Sequence, residues 1–332
     1  MTMPAVVLTA DGRIALQDRP RPTLRPDQVL VEVDMCGICG SDIHASQLPQ
    51  VYRGDCILGH ESTGRVAAVG DEVSDWAVGQ RVSVNPNGNV DGTCVYCRSG
   101  RPNFCRQATL ETALGLQADG ALAPLMAAFP GHLRRIPDEL GTLEAAWVEP
   151  TATALRAVEL AGDLAGRTVL VTGGGPIGQL ACRLAHLRSP ARIYLMEPAP
   201  QRAGFAADSH AVPIATDETG GVEVDVVVEC SGSAAATSAA LKLLVPGGIL
   251  VVVGAGPEPG LDSATILLKE ITVRGSYIYI DEFDRAIDLL ATQQVTVADL
   301  TTVVSPLADA LTAFDALRSG RIMKAFITPH TQ

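Results

Sequence analysis

The stretch Thr168-Val-Leu-Val-Thr-Gly-Gly-Gly-Pro-Ile-Gly178 decides the fold of the second part of this chain. It opens with a continuous apolar run, which is typical of a strand buried on both faces of a parallel sheet. A helical pattern over 179–187 follows. A glycine-rich turn between such a strand and a helix predicts a dinucleotide site, because the glycines permit a tight turn, close approach of a pyrophosphate and close helix packing. We expect the cofactor to contact Gly173, Gly175, Pro176, Ile177 and Gly178.

Three further strands extend the sheet outward from this stretch. Apolar runs at Arg192–Met196, 224–228 and 248–253 lack polar alternation and are separated by helical patterns. Such a succession predicts an α/β domain with a doubly wound parallel sheet covered by helices.

An acidic residue at the end of the second strand supports the nucleotide site. Glu197 follows Arg192–Met196, about 20 positions beyond the glycines. A carboxylate there accepts hydrogen bonds from ribose hydroxyls and repels a 2′-phosphate, which favours NAD over NADP. Arg202 could flank the adenine or reach a phosphate. A glycine-rich turn of purely structural use is the alternative, and it leaves the position of Glu197 unexplained.

The first part of the chain has a different hydrophobic pattern. The segment 28–34 alternates apolar and polar residues, as a half-buried strand does, and 62–69 and Arg81–Val84 are similar. Turn signals separate these runs, and an Ala/Leu-rich helix is predicted after Pro150. We therefore expect a β-rich domain before the nucleotide domain.

Two clusters of metal-ligand residue types lie in this β-rich part. The first is Cys39-Gly-Ser-Asp-Ile-His44 followed by Gly59-His60-Glu61. A thiolate, an imidazole and a carboxylate are zinc ligands, and a catalytic zinc takes three protein ligands and keeps a fourth position open. The second cluster spaces its members as Asp-x-x-Cys-x-x-Cys-x₇-Cys, and it comprises Asp91, Cys94, Cys97 and Cys105.

Composition limits the classes of protein and partner. A length of 332 residues suits two domains better than one. The net charge of −12 argues against binding to nucleic acid or to anionic membranes, and against a nucleic-acid-binding zinc ribbon. No apolar run approaches the roughly 20 residues of a membrane span, and the N-terminus lacks a leader pattern. Eight cysteines, reduced or metal-bound, fit a cytoplasmic protein.

Taken together and in this order, these motifs resemble the zinc-dependent medium-chain alcohol and polyol dehydrogenases, in particular the sorbitol and threonine dehydrogenase branch. The resemblance covers the whole chain and includes the pair Glu149-Pro150. It implies a GroES-like β-rich catalytic domain formed by 1–152 and 279–332, around a Rossmann NAD-binding domain over 153–278. It also suggests a homodimer or homotetramer, with 248–253 or 274–280 available as a pairing strand.

The resemblance assigns roles to individual residues. Cys39, His60 and Glu149 match the catalytic zinc ligands, although an ordinary surface glutamate is the alternative for Glu149. Glu61 matches a carboxylate that approaches the metal transiently, and Asp42 matches the acid that hydrogen-bonds a ligand imidazole, here His60.

A proton relay and a second metal site are implied as well. Ser41 would take the proton of the substrate alcohol and pass it through the cofactor ribose to His44, for which an exposed loop histidine is the alternative. Thr153 falls where the family has a hydroxyl near the nicotinamide. The second cluster corresponds to a structural zinc site in which Asp91 replaces the usual first cysteine.

The expected function is hydride transfer between a secondary alcohol and NAD, with a polyol, sugar or aminocyclitol as the small-molecule substrate. The acidic third ligand favours such polar substrates, and the segment 45–57 offers Gln47, Gln50, Tyr52 and Arg53 for recognition. Two alternatives are a zinc-free quinone or enone reductase of the same superfamily and a non-catalytic nucleotide-binding protein. The ligand residues argue against both.

Overall fold

The computed structural model describes residues 1–215, 221–256 and 260–330. The chain divides into two compact units, one formed by Met1–Glu149 with Phe283–Gln332 and the other by Pro150–Glu282. The second unit is thus inserted into the first. The boundaries expected from the sequence, at 152/153 and 278/279, lie a few residues away.

The described residues form strands and helices with the following bounds. The strands are β1 (Thr2–Leu8), β2 (Ile14–Pro20), β3 (Val29–Gly37), β4 (Cys56–Ile57), β5 (Glu61–Val69), β6 (Arg81–Val84), β7 (Leu125–Ala128), β8 (Leu133–Arg135), β9 (Thr168–Thr172), β10 (Arg192–Met196), β11 (Val212–Ile214), β12 (Val224–Glu229), β13 (Leu244–Val252), β14 (Thr272–Gly275), β15 (Val303–Pro306) and β16 (Ala325–Thr328). The helices are α1 (Gly40–Ile43), α2 (Val95–Arg98), α3 (Thr142–Ala146), α4 (Val148–Leu160), α5 (Pro176–His186), α6 (Pro200–Ala203), α7 (Ala234–Leu243), α8 (Ser263–Lys269), α9 (Glu282–Ala291) and α10 (Ala310–Arg318).

The first unit is built on a sheet in the order β15-β16-β3-β5-β6-β8, with β7 also paired to β3. Its pairings are antiparallel except for β15 with β16. Val29, Val31 and Val33 of β3 are buried, because alternate residues of a strand point to the same face. The strand predicted over 28–34 therefore exists. It extends to Gly37, just before Cys39 of the first group of candidate metal ligands.

The second unit contains a parallel sheet in the order β11-β10-β9-β12-β13-β14. Counted from β9, this is the strand order 3-2-1-4-5-6 of the Rossmann fold, which confirms the Rossmann domain that the family resemblance implied. In such sheets a nucleotide binds at the carboxyl ends of the strands where the order reverses, here beside β9 and β12. The glycine-rich turn begins where β9 ends.

No helix among the described residues is both long enough and apolar enough to cross a membrane.

Candidate metal centres and nucleotide-binding turn

A thiolate, an imidazole and a carboxylate meet where β3 ends and β5 begins. Gly37 of β3 pairs with Glu61 of β5, so the chain leaving β3 brings Cys39 towards the start of β5. One ligand atom each of Cys39, His60 and Glu61 lies within 4.8 Å of the other two. His60 and Glu61 are buried and Cys39 is half-buried. Sulfur, nitrogen and oxygen donors at this spacing fit a zinc ion.

The charges around His60 favour a cation. Asp42 is fully buried, and its Oδ2 accepts a hydrogen bond of 2.9 Å from the backbone N–H of Cys39. Its Oδ1 lies 3.4 Å from His60 Nδ1, although the geometry falls short of a hydrogen bond. Burial alone would lower the pKa of His60, but the charges of Asp42 and Cys39 raise this pKa well above its usual value. A metal ion would supply the positive charge that these groups favour.

The carboxylate that joins this group is Glu61. The family resemblance implies Glu149 as the third ligand and only a transient role for Glu61. Glu149 is half-buried in the first turn of α4, and within the described ranges it is not a member of the group. The physical reason is the pairing of Glu61 with Gly37 between β5 and β3, which places the Glu61 carboxylate near Cys39 and His60.

Lys324 is a charged partner at this centre that sequence reasoning missed. Its side chain is buried, and Nζ contacts Glu61 Oε2 and donates a hydrogen bond of 3.0 Å to the carbonyl oxygen of Ile38. Burial lowers the pKa of Lys324, but the charges of Glu61, Cys39 and Glu149 raise it more. The only signal in the sequence is a lysine directly before the apolar strand β16.

The residues assigned to the proton relay lie in and beside α1. Ser41 is half-buried, and its Oγ lies 2.8 Å from the hydroxyl oxygen of Tyr52. Tyr52 is 2% exposed and donates a hydrogen bond of 3.0 Å to Asp42 Oδ1. His44 is exposed at the end of α1. Of the recognition candidates in 45–57, Tyr52 is therefore buried, whereas Gln47, Gln50 and Arg53 are exposed.

The second cluster of ligand residues also comes together. One ligand atom each of Asp91, Cys94, Cys97 and Cys105 lies within 4.8 Å of the other three. Asp91 Oδ1 accepts hydrogen bonds from the backbone N–H groups of Thr93 (2.6 Å) and Cys94 (2.7 Å). Bonds from these two backbone groups lower the pKa of Asp91 to about 2, so the carboxylate is charged. Three sulfurs and one carboxylate can close a tetrahedral zinc site.

Replacing Asp91 with alanine is expected to empty this second site and leave the first one loaded. The zinc content, measured by plasma emission, should fall from about two ions per chain to about one, because a structural site needs four protein ligands. The matched variant Asp91→Cys should keep about two ions, since it supplies a fourth thiolate. Equal zinc contents in wild type and Asp91→Ala would contradict the assignment.

The glycines of the nucleotide-binding turn meet different constraints. Gly173 has φ +85°, and a Cβ there would lie 2.8 Å from Ser231 Cα. A Cβ at Gly178 would overlap the carbonyl oxygen of Gly173, whereas nothing lies within 4 Å of a Cβ at Gly175. Gly173 and Gly178 thus close the turn, and Gly175 leaves an open space at the start of α5. Pro176 and Ile177 form the first turn of that helix.

Glu197 and its neighbours hold the turn in place. Glu197 accepts hydrogen bonds from the backbone N–H groups of Gly174 (2.7 Å) and Ala199 (2.8 Å). The backbone oxygen of Arg202 accepts a bond of 3.0 Å from the Gln179 amide. Thr153, the proposed nicotinamide neighbour, is half-buried on α4.

Glu229 is a buried carboxylate of this unit that sequence reasoning missed. It lies at the end of β12 and is 1% exposed. It accepts hydrogen bonds from the backbone N–H groups of Ser231 (2.7 Å) and Gly232 (2.9 Å). Ser231 packs against Gly173. The hydrogen bonds to Glu229 therefore hold in place the loop that lies against the nucleotide-binding turn.

Both units of the chain match known protein families. Residues 25–138 match the model of the alcohol dehydrogenase GroES-like domain, and 176–292 match that of the zinc-binding dehydrogenases. The sorbitol dehydrogenase of Halalkalibacterium halodurans is 32% identical over 98% of this chain and 99% of its own length. The D-xylulose reductase A of Aspergillus oryzae is 31% identical over 97% and 95%, respectively. A crystal structure from Sinorhizobium meliloti 1021, described as a zinc-binding dehydrogenase bound to NADP, covers 99% of this chain and all of its own, with a TM-score of 0.91 and 30% identity.

Proposed function

The chain belongs to the zinc-dependent medium-chain alcohol and polyol dehydrogenases, and on this premise we propose that it oxidises a secondary hydroxyl of a polyol, sugar or aminocyclitol with NAD. Membership of the family makes it an NAD(P)-dependent alcohol dehydrogenase. The observation that carries the proposal is the group formed by Cys39, His60 and Glu61, with Ser41 two positions after Cys39 in α1.

The proposed catalytic zinc ligands are Cys39, His60 and one carboxylate. Glu61 is favoured as this carboxylate because its oxygen already lies within 4.8 Å of both other donors, and Glu149 is the alternative expected from the sequence. The variants Glu61→Gln and Glu149→Gln form a matched pair, because each removes one charge near Lys324. Glu61→Gln should lose the catalytic zinc on dialysis, and Glu149→Gln should retain it. The reverse result would restore Glu149 as the ligand.

The chain's own residues would orient the substrate alcohol and move its proton. A zinc ion bound here supplies Lewis acidity, which lowers the pKa of a substrate hydroxyl. Ser41 accepts the proton of that hydroxyl, and the exposed His44 returns it to solvent. Asp42 fixes the orientation of His60. Bound NAD would supply the hydride acceptor, and Gly173, Gly175 and Gly178 would form the turn that holds its pyrophosphate.

We propose NAD as the preferred cofactor because Glu197 stands at the end of β10, where it would repel a 2′-phosphate. Replacing Glu197 with alanine is expected to raise the NADP-to-NAD ratio of kcat/KM by about 100-fold, since removal of this repulsion is worth roughly 2–3 kcal/mol. Steady-state kinetics with both cofactors measure this ratio. Glu223→Ala, a glutamate of the same unit next to β12, is the control and should leave the ratio unchanged. A wild-type enzyme that prefers NADP would contradict the proposal.

The reaction can be tested on a panel of alcohols with NAD, followed by cofactor absorbance, together with zinc analysis. Activity on polyols and sugars with bound zinc is the expected outcome. Reduction of quinones or enones without zinc would indicate the zinc-free branch. Nucleotide binding without turnover on any substrate would indicate a non-catalytic protein.

We propose further that the enzyme is cytoplasmic and a homodimer or homotetramer. The edge strand β14 supports oligomerisation, since all its residues are exposed and the nearby Leu267 and Leu268 are 75% and 81% exposed. An exposed sheet edge with exposed leucines nearby favours pairing with another copy. Analytical ultracentrifugation should give at least twice the chain mass of 34.6 kDa.

A further inference from the structure

The ammonium group of Lys324 is buried and has partners from several parts of the first unit. Lys324 lies directly before β16 and is 2% exposed. Its Nζ contacts Glu61 Oε2 and donates a hydrogen bond of 3.0 Å to the carbonyl oxygen of Ile38. The ring centres of Trp147 and Phe326 each lie 5.5 Å from Nζ, which is within the range of a cation–π contact. These partners together fix the position of the cation.

The contact with Lys324 also fixes one of the two carboxylate oxygens of Glu61. Oε2 lies against the backbone of Gly37 as well, since a Cβ at Gly37 would overlap it. Among the hydrogen bonds of the described residues, that of the Glu61 side chain runs from Lys324 to Oε2, and none involves Oε1. A carboxylate can bind a metal ion through one oxygen or through both. With Oε2 engaged, Oε1 is the oxygen whose lone pairs are free for a cation beside Cys39 and His60.

We propose that Lys324 is a positioning residue that holds Glu61 Oε2 and so restricts this carboxylate to one oxygen at the zinc ion. A catalytic zinc takes three protein ligands and keeps a fourth position for water or substrate. If both oxygens of Glu61 were free to bind, the second would compete with the substrate alcohol for that position. Lys324 prevents this competition by keeping Oε2 in an ion pair. This role deepens the proposed alcohol oxidation and rests on it.

The cost of burying this ion pair supports a functional role. Lys324 precedes Ala325, Phe326 and Ile327, which are buried and apolar, and an apolar side chain at position 324 would avoid the desolvation of an ammonium group. Replacing a buried ion pair with apolar residues is often neutral or stabilising, so stability alone does not account for the pair. The negative charges that act on Lys324 include those of Glu61 and Cys39, two donors of the candidate zinc site. The cation therefore lies where it can control how the metal is held.

The variant Lys324→Met in the zinc-loaded full chain tests this role. Methionine has a similar volume but releases Oε2 of Glu61. The KM for the alcohol should rise about 10- to 100-fold, because substrate can bind only the roughly 1–10% of molecules whose fourth position is open. We expect little change in kcat, since saturating alcohol displaces the second oxygen, and no change in the KM for NAD. Lys242→Met, at an exposed lysine of α7, is the matched control and should keep wild-type kinetics.

Two readouts of the metal itself do not depend on activity. Lys324→Met should release the ion of the first site to a chelator about tenfold more slowly than wild type, because Glu61 can bind with both oxygens and no buried cation repels the ion. The ion of the second ligand group, which includes Asp91, is the internal reference and should leave at the wild-type rate. After cobalt substitution, the visible absorption of the first site should weaken, as it does when the coordination number of cobalt rises.

A milder variant keeps the test valid if Lys324→Met does not fold. The amide of Lys324→Gln can still donate a hydrogen bond to Glu61, so each readout should change in the same direction by a smaller amount. An unchanged KM for the alcohol, faster release of zinc or an unchanged cobalt spectrum would overturn the proposal. A wild-type protein that holds zinc but oxidises no alcohol would overturn the proposed function, and zinc release and the cobalt spectrum would still decide the role of Lys324.

Discussion

Replacement of Cys39 by alanine is expected to remove one zinc ion per chain and to lower kcat/KM for alcohol oxidation about 10³- to 10⁴-fold. The ligand group at the start of β5 has a single sulfur donor, and its loss leaves two donors in a site that needs three. Lewis-acid stabilisation is worth several kcal/mol, and each 1.36 kcal/mol corresponds to about tenfold in rate. Zinc analysis and steady-state kinetics on the best substrate of the panel measure the two effects.

Cys36 provides the control for this prediction. It lies three positions earlier on β3, is fully buried, and hydrogen-bonds only the carbonyl oxygen of Gly37 among the contacts described. Burial is the main cause of its raised pKa, as for an inert thiol, and it is not a member of either ligand group. Cys36→Ala should therefore keep its zinc and most of its activity, with only a modest loss of stability. Equal zinc contents in Cys39→Ala and Cys36→Ala would exclude Cys39 as a ligand.

Replacement of Gly178 by alanine is expected to raise the Kd for NAD about 100-fold or more and to destabilise the second unit by about 1–3 kcal/mol. A Cβ at this position would overlap the carbonyl oxygen of Gly173. Because the overlapping atom belongs to the backbone, the turn between β9 and α5 must shift to make room. A shifted turn no longer presents its amide groups to the pyrophosphate. Fluorescence titration with NADH and denaturant unfolding measure the two effects.

Gly175 separates the effect on binding from the effect on folding. Its φ is −71°, which any residue adopts, and no heavy atom lies within 4 Å of a Cβ built there. Gly175→Ala should therefore change the unfolding free energy by less than about 1 kcal/mol. It should still weaken NAD binding, since the new methyl group would fill the space beside the pyrophosphate. Unimpaired NAD binding in both variants would place the nucleotide elsewhere.

The sequence was sufficient for features whose residues are close together in the chain. The bounds predicted for β9 and β10 agree with the structure, because uninterrupted apolar runs next to glycine turns have few other interpretations. The parallel sheet of the second unit was predicted from the same βα pattern, whereas its strand order comes from the structure. In the second metal group, the fixed spacing of Asp91, Cys94, Cys97 and Cys105 allowed all four members to be named in advance.

The sequence does not decide which of two carboxylates, Glu149 or Glu61, lies beside Cys39 and His60. Glu149 was preferred on the resemblance alone, and its position in the chain does not reveal its distance from Cys39 and His60. In the structure, the pairing of Glu61 with Gly37 places the Glu61 carboxylate near Cys39 and His60. This proximity depends on the pairing of two strands from separate stretches of the chain, which a local sequence pattern does not specify.

The Rossmann turn and the four members of the second ligand group could be predicted from the sequence, because each depends on short-range spacing. Only the tertiary structure shows which buried polar and charged groups contact the candidate site residues. Lys324 contacts Glu61 across 263 positions of the chain, and Tyr52 contacts Ser41 and Asp42 from a segment predicted to recognise the substrate. Both contacts arise from packing the first unit around its buried strands. The separation of two residues along the chain does not show whether their buried polar groups will pair with each other.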